Sequence, residues 1–203
     1  DNLAEFACDI EMNKLKEPIG KQDQYISVIG GITVFEFKKN NKVKYKPLNL
    51  KKSTFYNLED RLLLFFTGYS RSAGKILKNQ DDRSSKKDKD IIENLNYVKK
   101  LGVQSMVALE NNDIDQFGLI MNEHWENKKR RSKKMSNLKI DQWYNYAIAN
   151  GALGGKLVGA GGGGFLMFLA SDPQKLRNAM SKINLPEVRF SFDFEGTKPV
   201  FVN

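Results

Sequence analysis

The stretch Gly154–Phe168, GGKLVGAGGGGFLMF, decides how this chain is read. Seven of its fifteen residues are glycine, and apolar residues flank the densest run. A surface linker would carry serine, proline and charge instead. Glycine is floppy in the unfolded chain, so ordering this stretch costs more entropy than ordering most sequences. Gly159, Gly161 and Gly164 match G-x-G-x-x-G, but a dinucleotide fold needs a helix to begin there. Here Phe165–Leu169 follows, which reads as a strand. A Walker A loop needs Gly-Lys-Ser/Thr, and none follows. A tight hairpin would be satisfied by two glycines. What remains is a loop whose backbone must approach another group closely, either a ligand or another phosphate-binding loop.

Outward from this loop the pattern is mixed. Ser171-Asp172-Pro173 opens a helix after the second strand. Residues 136–152 read as a helix with Ser136 as cap and Gly151 near its end. Residues 91–110 and 113–129 give two longer helices from their apolar periodicity. RLLLFFTG, residues 61–68, is a buried strand ending in glycine. SRSAGKILKNQ starts a further helix with a serine cap, and the polar stretch 81–90 reads as a mobile surface loop. Nearer the start, residues 2–15 are an amphipathic helix broken by Pro18 and Gly20. QYISVIGGITVFEF reads as strand, Gly30-Gly31 turn, strand. NNKVKYKPLNL suits an edge strand after a turn at Asn40-Asn41. RFSFDFEG and PVFV read as two closing strands. The class is α+β, with helices in the middle and an antiparallel sheet.

With 203 residues, 40% hydrophobic and 11% aromatic, the chain can bury a core. No apolar run spans a bilayer and no secretory leader is read, so no membrane association is expected. The single cysteine, Cys8, has no internal partner, and a cytoplasmic setting is expected. The net charge of +9 suits nucleic acid, an anionic membrane or a phosphorylated small molecule. The lysines lie in short clusters without interleaved aromatics, and no nucleic-acid signature appears, so no nucleic-acid partner is expected.

A second segment, EMNKLKEPIGKQDQYISVIGG, places Glu11 twelve residues before Asp23. With KLVGAGGGGF, it resembles the GHMP kinase superfamily of small-molecule kinases. The match narrows with PIGKQDQYISVIGGITVFEF, LLLFFTGYSRSAGKIL, MNEHWENKKRRS, ALGGKLVGAGGGGFLMF and FDFEG. In that order these blocks resemble the D-glycero-D-manno-heptose 7-phosphate kinases. The resemblance implies a C-terminal domain with a ferredoxin-like antiparallel sheet at 51–203. Residues 1–50 would be the tail of an N-terminal S5-like domain. The family's first motif and its Pro-x-x-x-Gly-Leu-Gly-Ser-Ser loop are not found, and the chain begins at Asp1, so a piece of a longer protein is expected.

The resemblance implies transfer of the ATP γ-phosphate to the anomeric hydroxyl of a sugar phosphate, with Mg²⁺. Such transfers depend on positioning and charge neutralisation. Asp23 would be the base, with Lys21 beside it lowering its pKa or meeting phosphate. Glu11 would hold Mg²⁺. Gln24, Tyr25, Arg71, Lys128 and Arg131 would bind substrate, with Lys128 or Arg131 reading its phosphate. Gly159, Ala160, Gly161, Gly162, Gly163 and Gly164 would lie against the phosphates. His124, the sole histidine, reads as packing or as a substrate hydrogen bond. Kinases for fucose or galactose, and a non-catalytic sugar-phosphate-binding fragment, are the alternatives. Expected partners are the small molecules, with an N-terminal half or a second copy covering the apolar face of residues 2–15.

Overall fold

The computed structural model describes residues 2–68, 77–78, 82–84, 86, 88–131, 135–159 and 161–198. They form two compact units: the described residues of Asp1–Asn49 and Ser191–Asn203, and those of Leu50–Phe190. The sequence reading assigns all of 51–203 to one domain; in the structure the described residues after Phe190 return to the first unit.

In the first unit, helix α1 (Asn2–Cys8) runs into a π-helical turn (Asp9–Lys14). Helix α2 (Gln22–Ile29) follows, then a hairpin of β1 (Thr33–Phe37) and β2 (Val43–Pro47). The hairpin is antiparallel, pairing Thr33 with Pro47 and Phe37 with Val43. Asn41 supplies its turn at φ 61°. Ala4, Cys8 and Tyr25 are buried together, with Met12, Val28, Phe35 and Val43 against them.

Two expectations fail in this unit. QYISVI is helix α2, not a strand. Its β-branched residues favour a strand only weakly. Tyr25 and Val28, three apart on a helix, both reach the small core, and Gly30 at φ 73° ends the helix. RFSFDFEG is not a strand either: among the described residues 191–198 no strand forms. Its polar groups are satisfied otherwise. The Gly31 amide donates to Asp193 O at 2.6 Å, and Asp193 Oδ1 accepts from the amides of Glu195 and Gly196. The PVFV and SRSAGKILKNQ readings fall on or beside residues outside those described.

The second unit opens with helix α3 (Lys52–Arg61), which periodicity alone does not reveal, and β3 (Leu62–Phe66). Helices α4 (Lys89–Glu110), α5 (Ile114–Lys129) and α6 (Leu138–Ala149) follow. Strands β4 (Ala152–Leu157) and β5 (Phe165–Ala170) and helix α7 (Pro173–Lys182) complete it. Caps set the helix starts. Asp88, from the stretch read as a mobile loop, caps α4; Asp113, Asn137 and Asp172 cap α5, α6 and α7. Asn137 thus takes the role expected of Ser136, whose hydroxyl instead donates to Asp141 at 2.7 Å.

The sheet has the order β3–β5–β4, antiparallel throughout. Beyond β3 the chain makes one further bridge, Phe65 to Glu187. One face buries Leu63, Phe65, Leu157, Leu166 and Phe168 with Ile140, Tyr144, Leu176, Met180 and Trp125. Helix α5 lies directly against β4. A Cβ on Gly154 would sit 1.9 Å from Gly118 O, so this crossing admits no side chain. Strand β4 starts at Ala152, and its glycines conceal its first residues from a propensity reading.

Candidate functional site

The functional residues expected near the start of the chain gather around α1, the π-turn and α2. Glu5, on α1, accepts from Lys21 Nζ at 2.8 Å through both carboxylate oxygens and from the Tyr25 hydroxyl at 2.5 Å. Lys21 also donates to Asn41 O at 3.1 Å. The Lys21 bond, then that of Tyr25, holds the Glu5 carboxyl below the usual range. Burial, with Glu5 beside it, pushes the Tyr25 hydroxyl up to about 12. Lys21 therefore serves Glu5; no hydrogen bond or ion pair joins it to Asp23. Asp23 is exposed in the first turn of α2, where its carboxylate is free to meet a hydroxyl. Its backbone carbonyl accepts from Ser27 Oγ at 2.7 Å.

Glu11 lies in the π-turn, a distortion often found at functional positions. It accepts from Gln24 Nε2 at 2.8 Å. The oxygen of that amide, Gln24 Oε1, is buried with no partner. A carboxylate beside an orphaned amide oxygen is a pair of hard acceptors, which fits Mg²⁺ completed by phosphate and water. Among the described residues no group of three or more His, Cys, Asp or Glu side chains could hold a metal by itself.

In the second unit the glycine loop joins β4 to β5, so a strand follows it, as the sequence requires. Gly159, Gly161, Gly162 and Gly164 have φ of 83°, 111°, 77° and 99°, a region that side chains rarely adopt. A Cβ on Gly161 would meet Met135 Sδ at 2.8 Å, and the Gly162 amide donates to Met135 O at 2.9 Å. At Gly159 a Cβ would meet nothing within 4 Å. The loop is thus pinned on one side and bare on the other. Gly164 O accepts from the amide and hydroxyl of Thr67 at 2.9 and 2.8 Å, which fixes its far end to β3. Ala160 and Arg71 lie outside the described residues.

The near end of the loop is held by Lys128. Its Nζ donates to Gly159 O and, at 3.4 Å, to Leu157 O. Lys128 is only 7% exposed, and burial, then the nearby Lys156 and Arg131, brings its ammonium down to about 7. Arg131 donates from Nε to Asn94 Oδ1 at 2.7 Å, within an amide ladder joining α4 to α5. His124, one turn before Lys128, is pushed down to about 3 by burial and by Lys156, Lys128 and Arg131. Its Nδ1 is buried without a partner.

Two residues of these clusters were not anticipated. Glu5, which organises Lys21 and Tyr25, gives no sequence signal that separates it from any helix glutamate. Lys156 could have been found: it is the one charge in ALGGKLVGAGGGGFLMF. Among the described residues no helix is long and apolar enough to cross a membrane.

Comparisons with known proteins find relatives of this chain. The chain is 33% identical over 199 residues to D-glycero-alpha-D-manno-heptose 7-phosphate kinase of Campylobacter jejuni, covering 97% of this chain and 58% of that protein. It is 32% identical over 137 residues to the bifunctional fucokinase/GDP-fucose pyrophosphorylase of Arabidopsis thaliana, 68% of this chain and 13% of that protein. A crystal structure of a D-glycero-D-manno-heptose 1-phosphate kinase from Bacteroides thetaiotaomicron superposes with a TM-score of 0.66 at 27% identity, covering 93% of this chain and 51% of the other. The chain therefore spans little more than half the length of its heptose kinase relatives. The family description "GHMP kinases C terminal" matches residues 105–186. With an α+β fold and a glycine loop placed between antiparallel strands, residues 105–186 match the GHMP kinase C-terminal domain, and the chain is similar to sugar kinases of that type.

Proposed function

We propose that this chain is the C-terminal part of a GHMP-type sugar kinase that transfers the ATP γ-phosphate to the anomeric hydroxyl of D-glycero-D-manno-heptose 7-phosphate. The observation that carries this reading is the 33% identity to a heptose 7-phosphate kinase across 97% of the chain. The unit of 1–49 and 191–198 would be the remainder of the N-terminal domain and that of 50–190 the C-terminal domain.

In this reading Asp23 takes or orients the proton of the sugar hydroxyl. Its exposure at the start of α2 leaves the carboxylate accessible. Lys21 and Tyr25, both bonded to Glu5, keep α2 seated on α1 and so hold Asp23 in place. Glu11 and Gln24 would hold Mg²⁺, which when bound neutralises phosphoryl charge. The bare side of Gly159–Gly164 lets phosphates approach the backbone, while Lys128 fixes the loop's entry.

Catalysis needs the γ-phosphate, the metal and the sugar oxygen held together. These residues supply part of that arrangement, so the isolated 203 residues are expected to need a phosphate loop supplied by an N-terminal segment. The exposed Leu3, Phe6 and Leu15 would suit an apolar contact with such a segment or with a second copy.

The deciding assay joins this chain to the N-terminal half of the Campylobacter jejuni kinase, or adds that half in trans, and measures ATP consumption. Heptose 7-phosphate should exceed fucose and galactose in kcat/KM. Faster turnover of fucose would favour the second reading, which rests on the similarity to a fucokinase. Binding of the sugar phosphate without turnover would favour a non-catalytic role.

A further inference from the structure

The glycine loop has little of its own to hold it. Gly159, Gly161, Gly162 and Gly164 all take positive φ, a region that glycine enters and leaves freely. At Gly164, whose φ is 99°, a Cβ would meet only Val158 O, at 3.7 Å. Crowding therefore does not fix this end of the loop, and hydrogen bonds must. Among the described residues three groups supply them. Lys128 Nζ donates to Gly159 O, the Gly162 amide donates to Met135 O at 2.9 Å, and Gly164 O accepts from Thr67. The amides of Gly159, Gly161, Gly163 and Gly164 have no acceptor among the described residues. They are the donors that an approaching anion would use.

The Thr67 contact differs from the other two in geometry. Thr67 directly follows β3 and is only 3% exposed. Its amide and its hydroxyl both donate to Gly164 O, at 2.9 and 2.8 Å. A carbonyl oxygen has two lone pairs, and two donors together set the direction of its peptide plane. Strand β5 begins at the next residue, Phe165, which pairs with Phe66. Gly164 is thus the joint between a fixed strand and a loop with no side chains of its own to brace it. The backbone donor alone would leave that joint free to swing.

We propose that Thr67 is a positioning residue for phosphoryl transfer. Through Gly164 O, its hydroxyl sets the conformation in which the loop presents its free amides to a phosphoryl group. Thr67 acts through the loop and not on the reacting atoms. Its effect on turnover rests on the kinase reading; its anchoring of the loop does not. The amides meet a phosphate that is present before and during transfer, so their disorder weakens binding more than it slows the chemical step.

The anchoring is read in the 203-residue chain by amide hydrogen exchange followed by NMR, which needs no catalysis. Thr67→Val removes the hydroxyl at nearly constant size and keeps the backbone bond. It should speed exchange of the Gly162 amide about tenfold and leave the amides of β5 unchanged. Thr67→Ser, which keeps the hydroxyl, should restore the slower rate. Thermal unfolding establishes that each variant is folded, and Thr67→Ala repeats the test if the valine variant is not. In the joined enzyme, Thr67→Val should lower kcat/KM about tenfold, through KM of ATP or of heptose 7-phosphate more than through kcat, and Thr67→Ser should recover it.

Unchanged exchange, unchanged kcat/KM, a loss carried by kcat alone, or a loss that serine does not recover would overturn the proposal. Any of these, with heptose 7-phosphate still phosphorylated by the parent joined enzyme, would leave the kinase reading standing. Faster exchange in Thr67→Val, with no sugar phosphorylated even by the parent joined enzyme, would uphold the anchoring and overturn its role in transfer together with the kinase reading.

Discussion

Lys21 and Lys156 are the same side chain in opposite surroundings. Lys21 grips both oxygens of Glu5 at 2.8 Å, and Tyr25 completes the group. Lys156 is half-buried on β4, makes no ion pair with a described residue, and has its pKa lowered by burial and then by Arg131. The first cluster is electrostatically closed and needs nothing from outside. Lys156 has no such ion pair with a described residue. The difference separates a charge that helps to hold the fold together from one that does not.

The comparison can be broken most forcefully in the second unit. Trp125 is fully buried in the core beside Tyr144 and below the basic face of α5. Trp125→Ala should cost about 3–5 kcal/mol. Urea unfolding followed by circular dichroism would then show one part of the molecule melting early while the Glu5 cluster persists. A single concerted loss would mean that the two units unfold together.

Next in size is Asp23→Asn in a joined, active enzyme. It should lower kcat about a hundredfold, roughly 2.7 kcal/mol in the barrier. Stability and ATP affinity should hardly change, because Asp23 is exposed. Retention of most turnover would make it a simple surface residue.

The two lysines themselves give effects of opposite sign. Lys21→Met leaves Glu5 without its main partner and should destabilise by about 1–2 kcal/mol. Lys156→Met removes a half-buried charge that makes no ion pair with a described residue and should stabilise by about 1 kcal/mol. Differential scanning calorimetry at low salt reads both, and equal signs would erase the distinction.

The smallest effect is in the alkaline melt. Lys128 titrates near 10.5 when unfolded but at about 7 in the fold. Between these values the unfolded chain binds more protons, so this group's contribution rises as pH rises. Tyr25 behaves oppositely: at 10 unfolded and about 12 folded, its contribution is lost as pH rises through that window. Tryptophan emission, from Trp125 and Trp143 of the second unit only, should show a midpoint rising by a few degrees from pH 7 to 9.5. A falling midpoint would show that Lys128 is not held near neutrality by its burial.

Much of this was legible in the chain. The strand–glycine loop–strand order followed from apolar residues directly after Gly164, and the three long helices from their 3.6-residue periodicity. The Asp172-Pro173 start of α7 followed from capping chemistry. These signals are local, carried by residues close in sequence. QYISVI was misread because its β-branched residues obey a weak preference, while Tyr25 and Val28 are recruited at helical spacing by Ala4, Cys8 and Phe35. FDFEG was misread because alternation does not require a strand: its backbone is satisfied by Gly31 and by the Asp193 side chain.

By itself, then, the sequence determined the loop, the helix periods and the family resemblance, because each depends on neighbours along the chain. Tertiary structure alone decided which charges are spent and which are left over. Glu5 lies sixteen residues from Lys21, and Gly159 lies thirty-one from Lys128. No periodicity announces such meetings. They arise when α1 seats on α2 and when α5 crosses β4 at Gly118 and Gly154, where only the absence of a Cβ lets the backbones approach. The fold then leaves Lys21 in a closed ion pair and lowers the pKa of Lys128 and Lys156 by burial.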